Sequence, residues 1–405
     1  MEEGFSFLSS GTVTSARGFM AGATYAGLKT QKEGVLDLGI LYSETPCVAA
    51  AMFTANRVKA APVVLSRQRL QSGKAQAVVI NSGCANACVG EAGLDDASEM
   101  AKLAAQKLGL VEDQVLVAST GVIGKRLPME LVRAGIGGIN LAPDGGSALM
   151  RAIMTTDTVP KEAAVRATVD GGEFVVGGIA KGAGMIHPHL ATFLCFLATD
   201  AAVAPDFLKG SLREAVDNSF NMVSVDGDTS TNDMVLLMAN GLAGGEPISS
   251  GSGAASVFQE ALSQLCIKLA KCVAADGEGA SRLIEVRVNG AASVADARLA
   301  ARTIVTSPLV KTAVHGGDPN WGRVLAALGR SGAALEESKI DLDIGGVGLV
   351  RSGVPTSFNR EKVSQLLRVS PVLVKLELNL GVATATAWGC DLSPEYVTIN
   401  SHYTT

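Results

Sequence analysis

The stretch Lys181-Gly-Ala-Gly-Met-Ile-His-Pro-His-Leu-Ala-Thr-Phe-Leu-Cys-Phe-Leu-Ala-Thr-Asp200 decides how the rest of the chain is read. A glycine-rich turn runs into the pair Ala191-Thr192, and an apolar strand follows at once. A threonine hydroxyl is a weak nucleophile that needs an adjacent base, and the α-amine of an N-terminal threonine supplies one. That amine has a reference pKa of about 7.7–8.0, close to the pH at which a cytoplasmic enzyme works. An internal threonine gains it only when the preceding peptide bond is cut. Gly182 and Gly184 give the backbone the freedom to bring the Ala191 carbonyl to the hydroxyl, and the small Ala191 side chain leaves that carbonyl open. Residue type alone does not force this reading, because a buried strand threonine has the same appearance.

Outward from the turn, Glu173-Phe-Val-Val-Gly-Gly-Ile-Ala-Lys181 reads as a strand delivering a lysine into the glycines. Val115-Leu-Val-Ala-Ser-Thr-Gly-Val-Ile-Gly124 is a second strand entering a Thr120-Gly121 turn. Such a turn can aim a hydroxyl and a backbone N–H at one point, as an oxyanion hole requires, although a generic strand–turn looks alike. Met154-Thr-Thr-Asp-Thr158 groups hydroxyls around one carboxylate and otherwise reads as a capped turn. Asp276-Gly-Glu-Gly279 ends an amphipathic helix over 257–275, and its plain reading is a C-cap with a solvated acid at Glu278.

Lys181-Gly-x-Gly-Met-Ile-x-Pro-x-x-Ala-Thr192 resembles the self-cleavage motif of the ornithine acetyltransferase family, the glutamate N-acetyltransferases of arginine biosynthesis. The resemblance runs from about Val13 to Thr405 and takes in Phe53-Thr-Ala-Asn56, the acidic block Asn221–Asp233 and Asp318-Pro-Asn-Trp-Gly-Arg323. It implies a layered αββα sandwich of the self-cleaving aminopeptidase/ornithine acetyltransferase type, with residues 1–282 as catalytic core and 283–405 as a smaller α/β domain. It implies cleavage between Ala191 and Thr192 into an α chain, 1–191, and a β chain, 192–405. Thr192 is then the nucleophile, Thr120 and Gly121 the oxyanion hole, and Glu278 the proton-transfer group beside the substrate amine. Thr155, Lys181, Asn400 and Thr405 touch substrate, the last two because the tail returns to the pocket. The implied reaction is a ping-pong acetyl transfer from N2-acetyl-L-ornithine to L-glutamate, with no cofactor. Acetyl-CoA is a second donor in bifunctional members, and no dinucleotide or P-loop motif argues for or against it here. The implied assembly is a heterotetramer of two α and two β chains. The rival reading is a self-cleaving aminopeptidase or amidase of the related fold. Three positions depart from the family pattern: Cys84 and His189 stand where asparagine is usual, and Ala183 where serine is common.

Composition excludes several other classes. The 405 residues exceed one ordinary core, so two or three domains are expected. A hydrophobic share of 47% with 18% charged residues describes a soluble globular chain, and only 4% aromatic residues against 46 glycines makes small side chains do much of the packing. A net charge of −5 without a Lys/Arg cluster disfavours nucleic acid and anionic membrane as partners. The first residues lack the basic flank and apolar core of a secretory leader, and no run approaches the ~18 apolar residues of a membrane span. Seven scattered cysteines suit free thiols in a reducing cytoplasm. Cys84 and Cys88 lack a second Cys/His pair at zinc spacing, His187 and His189 read as loop residues, and the acids at 226–233 lack EF-hand spacing, so no metal is expected. Further strands are expected at 36–42 and 49–56, and a helix capped by Asp95 or Asp96 up to Leu108.

Overall fold

The computed structural model describes residues 4–170, 172–187 and 193–402. Ala191, Thr192, His189 and Thr405 lie outside the described residues.

Met234-Val-Leu-Leu-Met-Ala239 explains the main sheet best. A strand sends successive side chains to opposite faces, so an uninterrupted apolar run must be covered on both. Met234, Leu236 and Met238 enter one hydrophobic cluster, while Val235, Leu237 and Ala239 enter another. The neighbouring strand Leu194–Thr199 divides in the same way: Leu194, Phe196 and Ala198 face one cluster, Cys195 and Leu197 the other. The helices Pro205–Asp217 and Ala255–Ala275 cover one face, and the short helix Gly146–Ile153 covers the other.

Among the described residues, this sheet has nine strands: β1 (Gly4–Phe7), β2 (Phe19–Thr24), β3 (Leu38–Phe53), β4 (Lys74–Asn81), β5 (Val115–Ser119), β6 (Glu162–Val169), β7 (Gly172–Lys181), β8 (Leu194–Thr199) and, after the short β9 (Val223–Ser224), β10 (Met234–Ala239). Their order is β1-β6-β7-β8-β10-β3-β4-β5, with β2 also on β3. β9 belongs to a second sheet with β11 (Leu283–Ala291), β12 (Asp341–Ile344), β13 (Val347–Arg351), β14 (Val354–Pro355), β15 (Val372–Glu377) and β16 (Ala383–Cys390), in the order β14-β13-β12-β15-β11-β16-β9. The helix Ala255–Ala275 packs on β6 and β7 of the first sheet and touches β9, β11 and β16 of the second. Its buried Phe258, Leu262, Leu265 and Leu269 join side chains of both sheets in one core. Each such side chain is worth about 1.5–3 kcal/mol on burial. The chain is thus of the expected mixed α/β class, with two sheets and flanking helices.

Two local expectations change. The strands expected at 36–42 and 49–56 are one strand, β3, of 16 residues. Ser43-Glu-Thr-Pro46 reads as a turn, yet it forms an irregularity in the ladder to β4, between Tyr42 and Cys47. A bulge tolerates proline because it interrupts the ladder anyway. The helix expected from Asp95 or Asp96 starts earlier, at Glu91, after Gly90 in the left-handed region at φ 67°. Asp96 does not cap it; its buried carboxylate pairs with Arg126 at 2.9 Å. No helix among the described residues is long and apolar enough to cross a membrane.

Candidate active site

Five strand or helix ends and the C-terminal helix converge on one cavity of about 80 Å³. Thr120, Gly121, Thr155, Lys181, Glu278 and Asn400 all line it.

The first wall is the turn after β5. Gly121 sits at φ 127°, and a Cβ there would lie 2.4 Å from the Gly83 carbonyl carbon. Only glycine lets this turn close on the loop after β4. The end of β4 holds the turn in place: the Thr120 amide donates to the Asn81 carbonyl at 3.0 Å, and the Ser119 hydroxyl to Asn81 Oδ1 at 2.6 Å. Asn232 Nδ2 adds bonds to the carbonyls of Ser119 at 2.9 Å and Ala85 at 2.7 Å. With its amide engaged, Thr120 presents its hydroxyl to the cavity. Cys84 lies behind this wall, buried, its thiol donating to the Lys125 carbonyl at 3.0 Å.

One lysine lines the floor, and a second lies buried behind it. Lys181 ends β7 and is 3% exposed. Its Nζ donates to Thr120 Oγ1 at 3.4 Å. Burial pulls its pKa below the ordinary lysine value, with the Asp157 carboxylate opposing that shift. Lys161 precedes β6 and is also buried, but its Nζ reaches Asp157 Oδ1 at 2.6 Å and Asp276 Oδ2 at 2.5 Å. Asp157 also accepts the amides of Gly182 at 2.7 Å and Thr155 at 3.0 Å. Its carboxyl is desolvated, yet the two lysines and these bonds hold it down at about 2. Asp157 therefore ties the hydroxyl run 155–158 to the start of the glycine turn. Asp276, which also binds the Thr158 amide and hydroxyl, ties both to the helix end.

Glu278 is 8% exposed, not the solvated acid that its Gly-Glu-Gly setting suggests. Its amide donates to the Ala183 carbonyl at 2.9 Å, and Asn400 Nδ2 donates to its Oε2 at 2.8 Å. Asn400 comes from the helix Pro394–His402, which brings this one residue of the C-terminal segment to the cavity. A Cβ at Gly184 would sit 2.4 Å from Glu278 Cδ, which explains glycine there.

Thr156 and Ser230, Thr231 and Asn232 also line the cavity, and none of them was singled out above as a contact. The density of hydroxyls and amides in Thr229-Ser-Thr-Asn232 was the available signal. Lys161 and Asp276 were missed as well, because they are 115 residues apart and meet only in the fold.

A mixed α/β chain with a pocket of hydroxyl, ammonium and carboxylate groups, assembled from segments this far apart, is an enzyme for small polar molecules. A family model described as the ArgJ family matches residues 20–405, and the chain belongs to that family. It is 51% identical over 405 residues to the arginine biosynthesis bifunctional protein ArgJ of Dehalococcoides mccartyi (strain CBDB1), covering 100% of both chains. It is 53% identical over 397 residues to the protein of the same name from Symbiobacterium thermophilum, covering 98% of this chain and 99% of that one. Among solved structures, the arginine biosynthesis bifunctional protein argJ of Bacillus halodurans is similar, at 44% identity and a TM-score of 0.51, over 51% of this chain and 98% of that chain.

Proposed function

We propose that this chain is a glutamate N-acetyltransferase of arginine biosynthesis that cuts itself between Ala191 and Thr192 and then carries acetyl on Thr192. Its full-length relatives are named arginine biosynthesis bifunctional proteins, which supports the pathway over the rival aminopeptidase or amidase reading. The observation that carries the chemistry is the meeting of the Thr120 hydroxyl, the Lys181 ammonium and the Glu278 carboxylate in one cavity. The ladder partner of Lys181 is Leu194, so β8 begins beside that cavity.

In the first half-reaction, Thr192 Oγ adds to the acetyl carbonyl of N2-acetyl-ornithine while its α-amine takes the hydroxyl proton. The Thr120 hydroxyl and the Gly121 N–H stabilise the oxyanion. Lys181 pairs with the α-carboxylate that ornithine and glutamate share, and its burial strengthens that pairing. Glu278 faces the substrate amine and moves the proton that the leaving amine needs. Thr155 and Asn400 complete the contact surface, with Thr405 assigned the same role. Glutamate then enters, and its amine takes the acetyl group from Thr192. Exclusion of water keeps the acetyl-threonine from hydrolysis.

No cofactor is assigned. Acetyl-CoA is the second acetyl donor we assign, in keeping with the word "bifunctional" in the relatives' names. The mature form is read as two α and two β chains working in the cytoplasm. That the Bacillus halodurans chain matches over half of this one supports a protein made of half-length pieces, and seven free cysteines support a reducing compartment. Purified protein given acetyl-ornithine and glutamate should yield N-acetylglutamate and ornithine one for one. Free acetate alone would overturn the transferase reading in favour of a hydrolase. Release of CoA from acetyl-CoA with glutamate tests the second donor, and native mass tests the assembly.

A further inference from the structure

Between the cavity wall and the expected cut, the chain passes through Met185-Ile-His187, and one loop of the scaffold grips it there. Asp226 Oδ2 accepts the Met185 amide at 2.5 Å, and Oδ1 accepts the Ile186 amide at 3.0 Å and the Asp228 amide at 3.2 Å. The Val225 amide donates to the Ile186 carbonyl at 2.8 Å. The Ser224 hydroxyl donates to the same carbonyl at 3.3 Å and lies 3.3 Å from His187 Nδ1. Met185 sits at φ 57°, the left-handed region that a residue with a Cβ occupies only when something holds it. Two successive amides around a left-handed residue form a concavity for an anion, and the Asp226 carboxylate fills it. Acetyl transfer as described gives this carboxylate no task.

We propose that Asp226 is a positioning residue for self-cleavage: by fixing Met185 and Ile186 it sets the course of the chain toward the Ala191–Thr192 bond and so the rate at which that bond is attacked. This rests on the cleavage reading above. In the step concerned, Thr192 Oγ bonds to the Ala191 carbonyl carbon, the Ala191–Thr192 C–N bond breaks, and the hydroxyl proton passes to the nitrogen. Water then hydrolyses the resulting ester to the Ala191 carboxylate and a free Thr192. Misdirection of a reacting group by about 1 Å costs such a step up to a hundredfold.

The test follows freshly made full-length chain on a denaturing gel, with intact mass identifying the fragments. Asp226→Ala should slow the cut at least about tenfold, and Asp226→Asn, which keeps one acceptor oxygen, should fall between it and the wild type. Met185→Gly placed in the Asp226→Ala chain should restore much of the rate, because glycine takes a positive φ without the carboxylate. Asp200→Asn serves as the stability control. Asp200 is buried and accepts the Val175 amide at 2.7 Å beyond the far end of β8, and its loss should lower stability but leave the cut at the wild-type rate. Equal rates in Asp226→Ala and wild type would overturn the proposal. So would a slow Asp226→Ala chain that Met185→Gly leaves slow, or an equal slowing in Asp200→Asn, since either would mark a general loss of packing. If Asp226→Ala does not fold, Asp226→Asn, with and without Met185→Gly, carries the same comparison. A wild-type chain that stays whole sinks the cleavage reading itself; a wild-type chain that cuts no faster than the Asp226 variants sinks this proposal alone.

Discussion

Lys161, just before β6, and Lys181, at the end of β7, are both buried, yet their surroundings are opposite. Lys161 Nζ has carboxylates at 2.6 and 2.5 Å and the Val159 carbonyl at 3.3 Å. Lys181 Nζ has a threonine hydroxyl at 3.4 Å as its one hydrogen bond among the described residues. A buried ammonium is stable only when paired and hydrogen-bonded. Lys161 meets that condition within the protein and is structural. Lys181 lines a cavity and lacks a carboxylate at contact distance among the described residues, which suits the role proposed for it, pairing with a ligand carboxylate. The same residue type at the same depth holds the fold together in one case and, in the proposed reaction, recruits substrate in the other.

Exchanging each lysine for methionine should separate the two roles. Lys161→Met leaves Asp157 and Asp276 buried without their cation and should cost about 3–5 kcal/mol in urea unfolding. Lys181→Met removes a poorly paired charge and should leave the unfolding midpoint unchanged or raised, while kcat/KM for acetyl-ornithine falls roughly a hundredfold or more. Equal destabilisation by the two variants would erase the distinction. Thr120→Val should lower kcat on the order of a hundredfold with little change in stability, since the Thr120 amide, not its hydroxyl, holds the turn. Gly184→Ala should lower the transfer rate about tenfold with every catalytic group still present, because its Cβ displaces the Glu278 carboxylate.

The smallest effects lie in the pH dependence. Lys181 binds a carboxylate only while protonated, and burial lowers its pKa, so kcat/KM should decline on the alkaline side at lower pH than an ordinary lysine would give. Asp157→Asn removes the main opposing charge and should move that decline to still lower pH. Asp157 itself has a folded pKa of about 2, below the ordinary 3.8. Its contribution, on the order of 2 kcal/mol, is therefore complete above the ordinary value and is lost as pH falls toward about 2. Acid unfolding of Asp157→Asn should accordingly show a shallower slope across that window.

Residues that act within a short stretch were legible in the sequence. Thr120 and Gly121 follow an apolar strand, Lys181 ends another before glycines, and all three line the cavity. Glu278 was legible as a candidate but not in its burial, because the Ala183 carbonyl and Asn400 that enclose it lie 95 and 122 residues away in sequence. Lys161, in Val159-Pro-Lys-Glu162, has the look of a surface residue, and of the two carboxylates that hold it buried, Asp276 lies 115 residues away. The joined strand β3 has the same origin: its Pro46 is a turn signal locally, and pairing with β2 at one end and β10 at the other overrides it. Local chemistry leaves a mark on the sequence, whereas a partner a hundred residues away does not.

Intact mass and N-terminal sequencing of the mature protein address the covalent chemistry at its source. Two fragments, 1–191 and 192–405, are expected, the second beginning with a free threonine, together with an uncut, inactive chain for Thr192→Ala. A whole wild-type chain with full transferase activity would leave Thr192 without its amine base and would contradict the account.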